Sequence, residues 1–258
     1  MDPGPGRGAD RAAVPRPVHA ARGVVLAAPD RIQPAGAGAP GGRTGRGGDR
    51  RLAGADLGEG SRLAAATGAW ICFEDEAGQA LRLPRARTWA RRGHTPVVIV
   101  SGKGSGRVSV AGLTCFKPGS RSHLFYRLRV HRGRKGERRS LSEADYAALV
   151  TAAHHQLAAP VILIWDNLNT HISQRMSAWI EARGDWLTVE RLPAYAPELN
   201  AVEGAWAHVK NSLGNLAPRD VDQLAVIVKN RLKTIQYRPA LIDGFLTQTG
   251  LTLKPEQP

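Results

Sequence analysis

PVILIWDN, residues 160–167, is an uninterrupted apolar run that stops on a carboxylate. Six residues with no polar member at either parity suit a central strand covered on both faces, whereas a half-exposed strand would alternate. Asp166 then stands at the mouth of that strand. Two other strings repeat the device: FEDE at 73–76 closes the strand expected over 69–73, and PELNAVE at 197–203 opens a helix. Asp75, Asp166 and Glu203, with 36 residues between the last two, form an ordered carboxylate set drawn from distant parts of the chain.

Outward from these strings, residues 64–250 carry the pattern of a folded α/β domain. The turn formers Glu76-Ala-Gly-Gln79 predict a hairpin into a second strand over 81–83. Further strands are expected over 96–101, 107–116 and 123–130. Ser142 caps a helix with Glu143 and Asp145 in its first turn and Tyr146, Leu149, Ala153 and Leu157 at helical spacing. A helix over 173–183 and a strand over 187–192 follow. Val202, Trp206, Val209 and Leu213 make one helical stripe, and Val221, Leu224, Val228 and Leu232 another; a short helix over 240–247 ends the domain. Strands first, then alternating helix and strand, describe a mixed sheet flanked by helices. Trp165, Trp179 and Trp206 fall at core positions. Cys72 and Cys115, the chain's two cysteines, lack metal-ligand spacing and are expected reduced and buried.

Residues 1–63 differ in kind. Of the first 50, 36 are Gly, Ala, Pro or Arg, and the first 60 contain no Lys, Asn, Phe, Tyr or Trp. Such a segment has little to bury against the entropy of ordering it, so it is expected to be a disordered tail or a stretch translated out of its natural frame. Residues 251–258 are a C-terminal tail.

The 258-residue chain carries a net charge of +14, which points to a polyanionic partner. It has no apolar run long enough for a bilayer and no signal-peptide core, so an intracellular protein without a membrane partner is expected. Arg85, Arg87, Arg91 and Arg92 surround Trp89, and Arg132, Arg134, Lys135 and Arg138 follow the fifth predicted strand. Clusters of this kind suit DNA phosphates, which position a duplex without reading its sequence. Lys210 lies two helical turns after Glu203 on the same face and is placed to reach a phosphate. The Gly102–Gly106 run lacks the lysine-serine ending and following helix of a phosphate loop.

Three carboxylates are the oxygen ligands that hard divalent cations take, and a cation pair suits phosphodiester chemistry. Each acid also has an ordinary structural reading. Asp75 sits among turn formers, and Glu74 or Glu76 could equally face a site. Asp166 can close an Asx turn, with Asn169 and His171 placed to orient a ligand or contact DNA. Asn200 with Glu203 spells a capping box.

FEDEAG, RTWARRGHTPVV at 87–98, WDNLNTH at 165–171 and LPAYAPELNAVEGAWAHVK at 192–210 together resemble the catalytic domain of bacterial insertion-sequence transposases of the mariner-like superfamily, the DDE endonucleases. The resemblance covers about residues 64–250. It implies a ribonuclease-H-like fold; DNA cleavage and strand transfer with two Mg2+ or Mn2+ ions on Asp75, Asp166 and Glu203; and transposon-end and target DNA as partners. It also implies a homodimer when active and a cytoplasmic, nucleoid-associated location. Ala201 stands where the family often has proline, and residues 1–63 show no counterpart of the family's helix-turn-helix region. A catalytically inactive DNA-binding remnant and a ribonuclease-H-like nuclease are the alternatives.

Overall fold

The computed structural model describes residues 63–84, 86, 89–92, 94, 97–100, 106–193, 196–251 and 253, together with the backbone of Val24–Leu26. Seven strands are described: β1 (Val24–Leu26), β2 (Trp70–Ala80), β3 (Val98–Val100), β4 (Arg107–Phe116), β5 (His123–His131), β6 (Val161–Trp165) and β7 (Leu187–Arg191). Besides a helical stretch at 63–67 and a short 3-10 turn at Pro197–Leu199, the described residues form the helices α1 (Glu143–Leu157), α2 (Gln174–Glu181), α3 (Ala201–Ser212), α4 (Val221–Gln236) and α5 (Pro239–Gln248). β1 and β3 pair antiparallel as a separate ribbon, and the other five strands form one mixed sheet in the order β5-β4-β2-β6-β7.

Antiparallel pairing joins β5, β4 and β2, and parallel pairing joins β2, β6 and β7. β6 is the central apolar strand that its sequence predicts, with all five residues buried. The two sheet faces feed two cores. Ile71, Phe73, Val110, Ile162 and Ile164 pack with residues of α3, α4 and α5. Cys72, Leu113, Leu163 and Trp165 pack with Tyr146, Leu149 and Val150 of α1 and Met176 of α2. Cys72 and Cys115 face each other across the β2–β4 ladder as free, buried thiols.

The hairpin expected at the start of the domain, with its second strand over 81–83, does not form. The chain does not turn at Glu76–Gln79; β2 runs unbroken to Ala80, and its register with β4 continues from Ile71↔Phe116 to Ala80↔Arg107. A ten-residue partner outweighs the local turn preference, since cross-strand pairing is the unit of sheet stabilisation. Gly78 contributes here, because the Arg107 guanidinium occupies the place its Cβ would take.

Helix starts follow their caps. Ser142 and Asp145 form a reciprocal capping box on α1, and the Ser173 hydroxyl accepts from the Met176 N–H on α2. The sheet edge at β5 is lined with arginines that reach the helices. Arg127 and Arg129 bond Asp145 of α1 at 2.9 and 2.8 Å, and Arg132 bonds Asp222 of α4 at 2.6 Å.

α3 lies close on the sheet because Gly112 of β4 leaves space for an indole. A Cβ at Gly112 would stand 2.7 Å from Cη2 of Trp206. Gly112→Ala is therefore expected to lower unfolding free energy by about 1–3 kcal/mol, the usual cost of overpacking a core. Urea unfolding measures it, and a neutral effect would mean that α3 does not sit this close.

Candidate active site

The β2–β6 register places two acids side by side. Phe73 pairs with Ile164, so two residues further along each parallel strand Asp75 comes level with Asp166. Asp75 is half-buried within β2, two strands in from the edge, with Gly112 and Tyr126 as its neighbours along the ladder. Asp166 follows β6 directly. Its position is set by the ladder's continuation, in which the Leu192 N–H donates to the Trp165 carbonyl and the Asn167 amide donates to the Leu192 carbonyl.

Strand parity separates the three acids of FEDE. Asp75 shares the face of α3, and the Trp206 indole N–H donates to its Oδ2 at 3.0 Å. Glu74 and Glu76 point to the α1 face, where the Tyr146 hydroxyl donates to Glu76 and His171 lies against Glu74. Of the candidates in this strand, Asp75 alone therefore faces the helix that carries Glu203.

α3 is pinned to β2 at its first turn. The Asn200 amide donates to the Glu74 carbonyl at 2.8 Å, and its oxygen accepts from the Val202 N–H at 3.1 Å. The capping box suggested by Asn200 and Glu203 does not form, because the Asn200 N–H donates to the Pro197 carbonyl instead. The Glu203 side chain is thus not committed to capping.

The carboxylates feel one another. Burial, followed by the charge of Glu203 and then that of Asp166, pushes Asp75 up to about 7, against the lowering effect of hydrogen bonds from the Glu76 N–H and the Trp206 indole. Asp166 moves the other way. The hydrogen bond from His171 is the main cause of its lowered pKa, assisted by the Leu168 N–H, which closes the expected Asx turn at 3.0 Å. Burial holds Glu74 well above the usual carboxylate range, reinforced by Asp75, Asp166 and Glu76.

All three candidate ligands offer hard oxygen donors and repel one another, which is the chemistry a divalent cation relieves. Among the described residues, no three acid, histidine or cysteine side chains are gathered tightly enough to hold a metal ion as they stand.

The basic residues divide. Arg85 and Arg87 lie outside the described residues. Arg91 and Arg92 are exposed beside Trp89, which is 99% exposed. Arg134 and Lys135 are exposed on the loop after β5, while Arg132 is engaged by Asp222 and Arg138 donates to the Leu141 carbonyl. Lys210 is exposed near Gly78 and Gln79 at the far end of β2. Sequence reasoning placed Trp206 in the core, where it is 3% exposed, and missed its bond to Asp75. Its position three residues after Glu203, on one helix face, was the available signal.

A family model for the DDE superfamily endonuclease matches residues 70–225, and the chain belongs to that family. Its fold is the ribonuclease-H-like fold of mariner transposase catalytic domains. It is similar to the Mos1 transposase paired-end complex with left transposon end, at 16% identity over 87% of this chain and 68% of that one, with a TM-score of 0.51. It is also similar to the mariner Mos1 paired end complex with Mg, at 16% identity over 86% of this chain and 65% of that one, TM-score 0.56. The corresponding complex with Mn matches at 16% identity over 87% of this chain and 69% of that one, TM-score 0.50. The chain thus spans about two thirds of the length of these structures. No curated protein matches it. Among the described residues, no helix is long and apolar enough to cross a membrane.

The raised Asp75 pKa sets a pH dependence. Between 3.8, its value when unfolded, and about 7 in the fold, the folded state holds a proton that the unfolded chain has released. Stability therefore falls as pH rises through this window and levels off above it. In EDTA, Asp75→Asn is expected to gain thermal stability relative to the parent across that window. A constant difference between the two melting curves at every pH would show that Asp75 is not raised.

Proposed function

We propose that this chain is a transposase catalytic domain that cleaves DNA strands at the ends of a mobile element and joins the freed 3′ hydroxyl to target DNA. The observation that supports it most is that Glu203 at the start of α3 and Asp166 just after β6 lie near enough to Asp75 of β2 for their charges to raise its pKa. Membership of the DDE superfamily endonucleases gives the reaction class.

Asp75, Asp166 and Glu203 would hold two Mg2+ or Mn2+ ions, which when bound supply activation of the attacking oxygen and stabilisation of the leaving oxygen. The chain's own groups do the positioning. Trp206 fixes the rotamer of Asp75 from one face of the sheet, and the Leu168 N–H fixes that of Asp166. Asn200 sets the height of α3, and hence of Glu203, over β2.

Duplex DNA is the proposed partner, as transposon end and as target, with a homodimer as the active form. Of the candidate phosphate contacts, Arg91, Arg92, Arg134, Lys135 and Lys210 are presented to solvent, and Arg85 and Arg87 complete the first cluster in sequence. Arg132 and Arg138 contribute less, since their guanidinium groups already serve Asp222 and the Leu141 carbonyl.

Cleavage of DNA carrying the element ends is expected only with Mg2+ or Mn2+. Asp166→Asn and Glu203→Gln should each lose more than the roughly 10- to 100-fold typical of residues that merely support a metal ligand. Unchanged cleavage by either variant removes that residue from the site. Binding without cleavage by the parent would identify a DNA-binding remnant, and cleavage without joining a ribonuclease-H-like nuclease.

Replacing Arg134 and Lys135 together with alanine should reduce the slope of log affinity against log salt by about 2. A slope equal to the parent's would show that the loop after β5 stays off the duplex.

A further inference from the structure

Behind Asp166, on the α1 face of the sheet, lies a buried assembly that the reaction as described leaves unused. Glu74 is 0% exposed and His171 1%, and the His171 Nε2 stands 3.3 Å from Glu74 Oε2. Neither Glu74 oxygen nor His171 Nε2 has a well-directed hydrogen-bond partner, so the two face each other as a close contact rather than a directed bond. A carboxyl buried in this way costs stability that an apolar side chain of the same size would not.

The histidine ring is held between two aromatic side chains. It lies flat on Trp165, with centroids 4.2 Å apart and planes 4° from parallel, and meets Tyr146 edge-on at 4.8 Å and 87°. In that orientation Nε2 is turned to Glu74 and Nδ1 to Asp166 Oδ1, 3.0 Å away. The Asp166 side chain is 51% exposed, so an acid half in water is gripped by a ring that is wholly buried. Its other bond within the chain comes from the Leu168 N–H.

We infer that His171 is a positioning residue for Asp166, and that Glu74 anchors the ring so that Nδ1 stays aimed at the carboxylate. The inference rests on the endonuclease reading above. A carboxyl, a histidine and a ligand acid in series fix the angle at which the ligand oxygen meets a cation, as outer-shell partners do in metal sites generally. A histidine that only filled space would need the stacking on Trp165 but neither nitrogen contact.

Mn2+ is the probe, read in two ways on the full chain: free-ion electron paramagnetic resonance during titration, and the Mn2+ concentration giving half-maximal DNA cleavage. His171→Phe keeps an aromatic ring on Trp165 and removes both nitrogens. It is expected to weaken Mn2+ binding roughly 10- to 100-fold, with a matching rise in the half-maximal concentration and an unchanged salt slope of DNA binding. His171→Asn, which returns a donor near Nδ1, should recover part of the loss. Should His171→Phe fail to fold, Glu74→Met and Glu74→Gln carry the test, with weaker Mn2+ binding for the first and partial recovery for the second.

Parental Mn2+ affinity in folded His171→Phe, or equal affinities for the two Glu74 variants, overturns the positioning role while leaving the endonuclease reading intact. A parent chain that neither binds Mn2+ nor cleaves DNA overturns that reading, and the positioning role falls with it.

Discussion

The parallel pairing of β2 with β6 is the constraint on which the rest of the architecture depends. It is the seam between an antiparallel half, β5-β4-β2, and a parallel half, β2-β6-β7. Shifting that register by one residue would exchange the faces of every side chain on the strand. Asp75 would turn away from α3, and the level match with Asp166 would be lost. The buried ladder of Ile71, Cys72 and Phe73 with Ile162, Leu163 and Ile164 holds the register, so apolar packing below fixes the placement of charge above.

The site is assembled at the expense of local stability. Burial and like charge raise both Glu74 and Asp75, and the acids sit next to a core that would pack better without them. Such local conflict is the usual mark of a functional region. The two sheet faces manage it differently. On the α3 face an indole N–H bonds Asp75 directly, in a space opened by Gly112. On the α1 face an imidazole bonds Asp166, clamped between Trp165 and Tyr146. Each acid is therefore steered by an aromatic heterocycle rooted in a different core.

Much of this was legible in the residues. The run before Asp166 predicted a central strand because a strand covered on both faces has no polar parity, and Ser142 predicted a helix start through its hydroxyl. Asp75, Asp166 and Glu203 were named in advance, although their part in catalysis remains the proposal made above. What stayed hidden was long-range. Glu76-Ala-Gly-Gln79 spells a turn, but β4 keeps it extended, and its influence lies some thirty residues away by sequence. Periodicity sees Trp206 only as an apolar member of a stripe, since hydrophobic patterning carries no information about an indole N–H. Nothing in the sequence distinguished the engaged arginines at β5 from free ones, because the acids that hold Arg127 and Arg129 within the strand and Arg132 just after it come from other elements.

Those paired arginines at β5 have a consequence for how the molecule behaves in a crowd. An outer strand exposes unpaired backbone groups that invite another strand to add, and charge along the rim is one way natural sheets refuse it. Here the rim's cations are held in place by Asp145 on one helix and Asp222 on another. Two copies meeting rim to rim would set like charges against each other, so this border favours solubility over the growth of a continuous sheet between molecules.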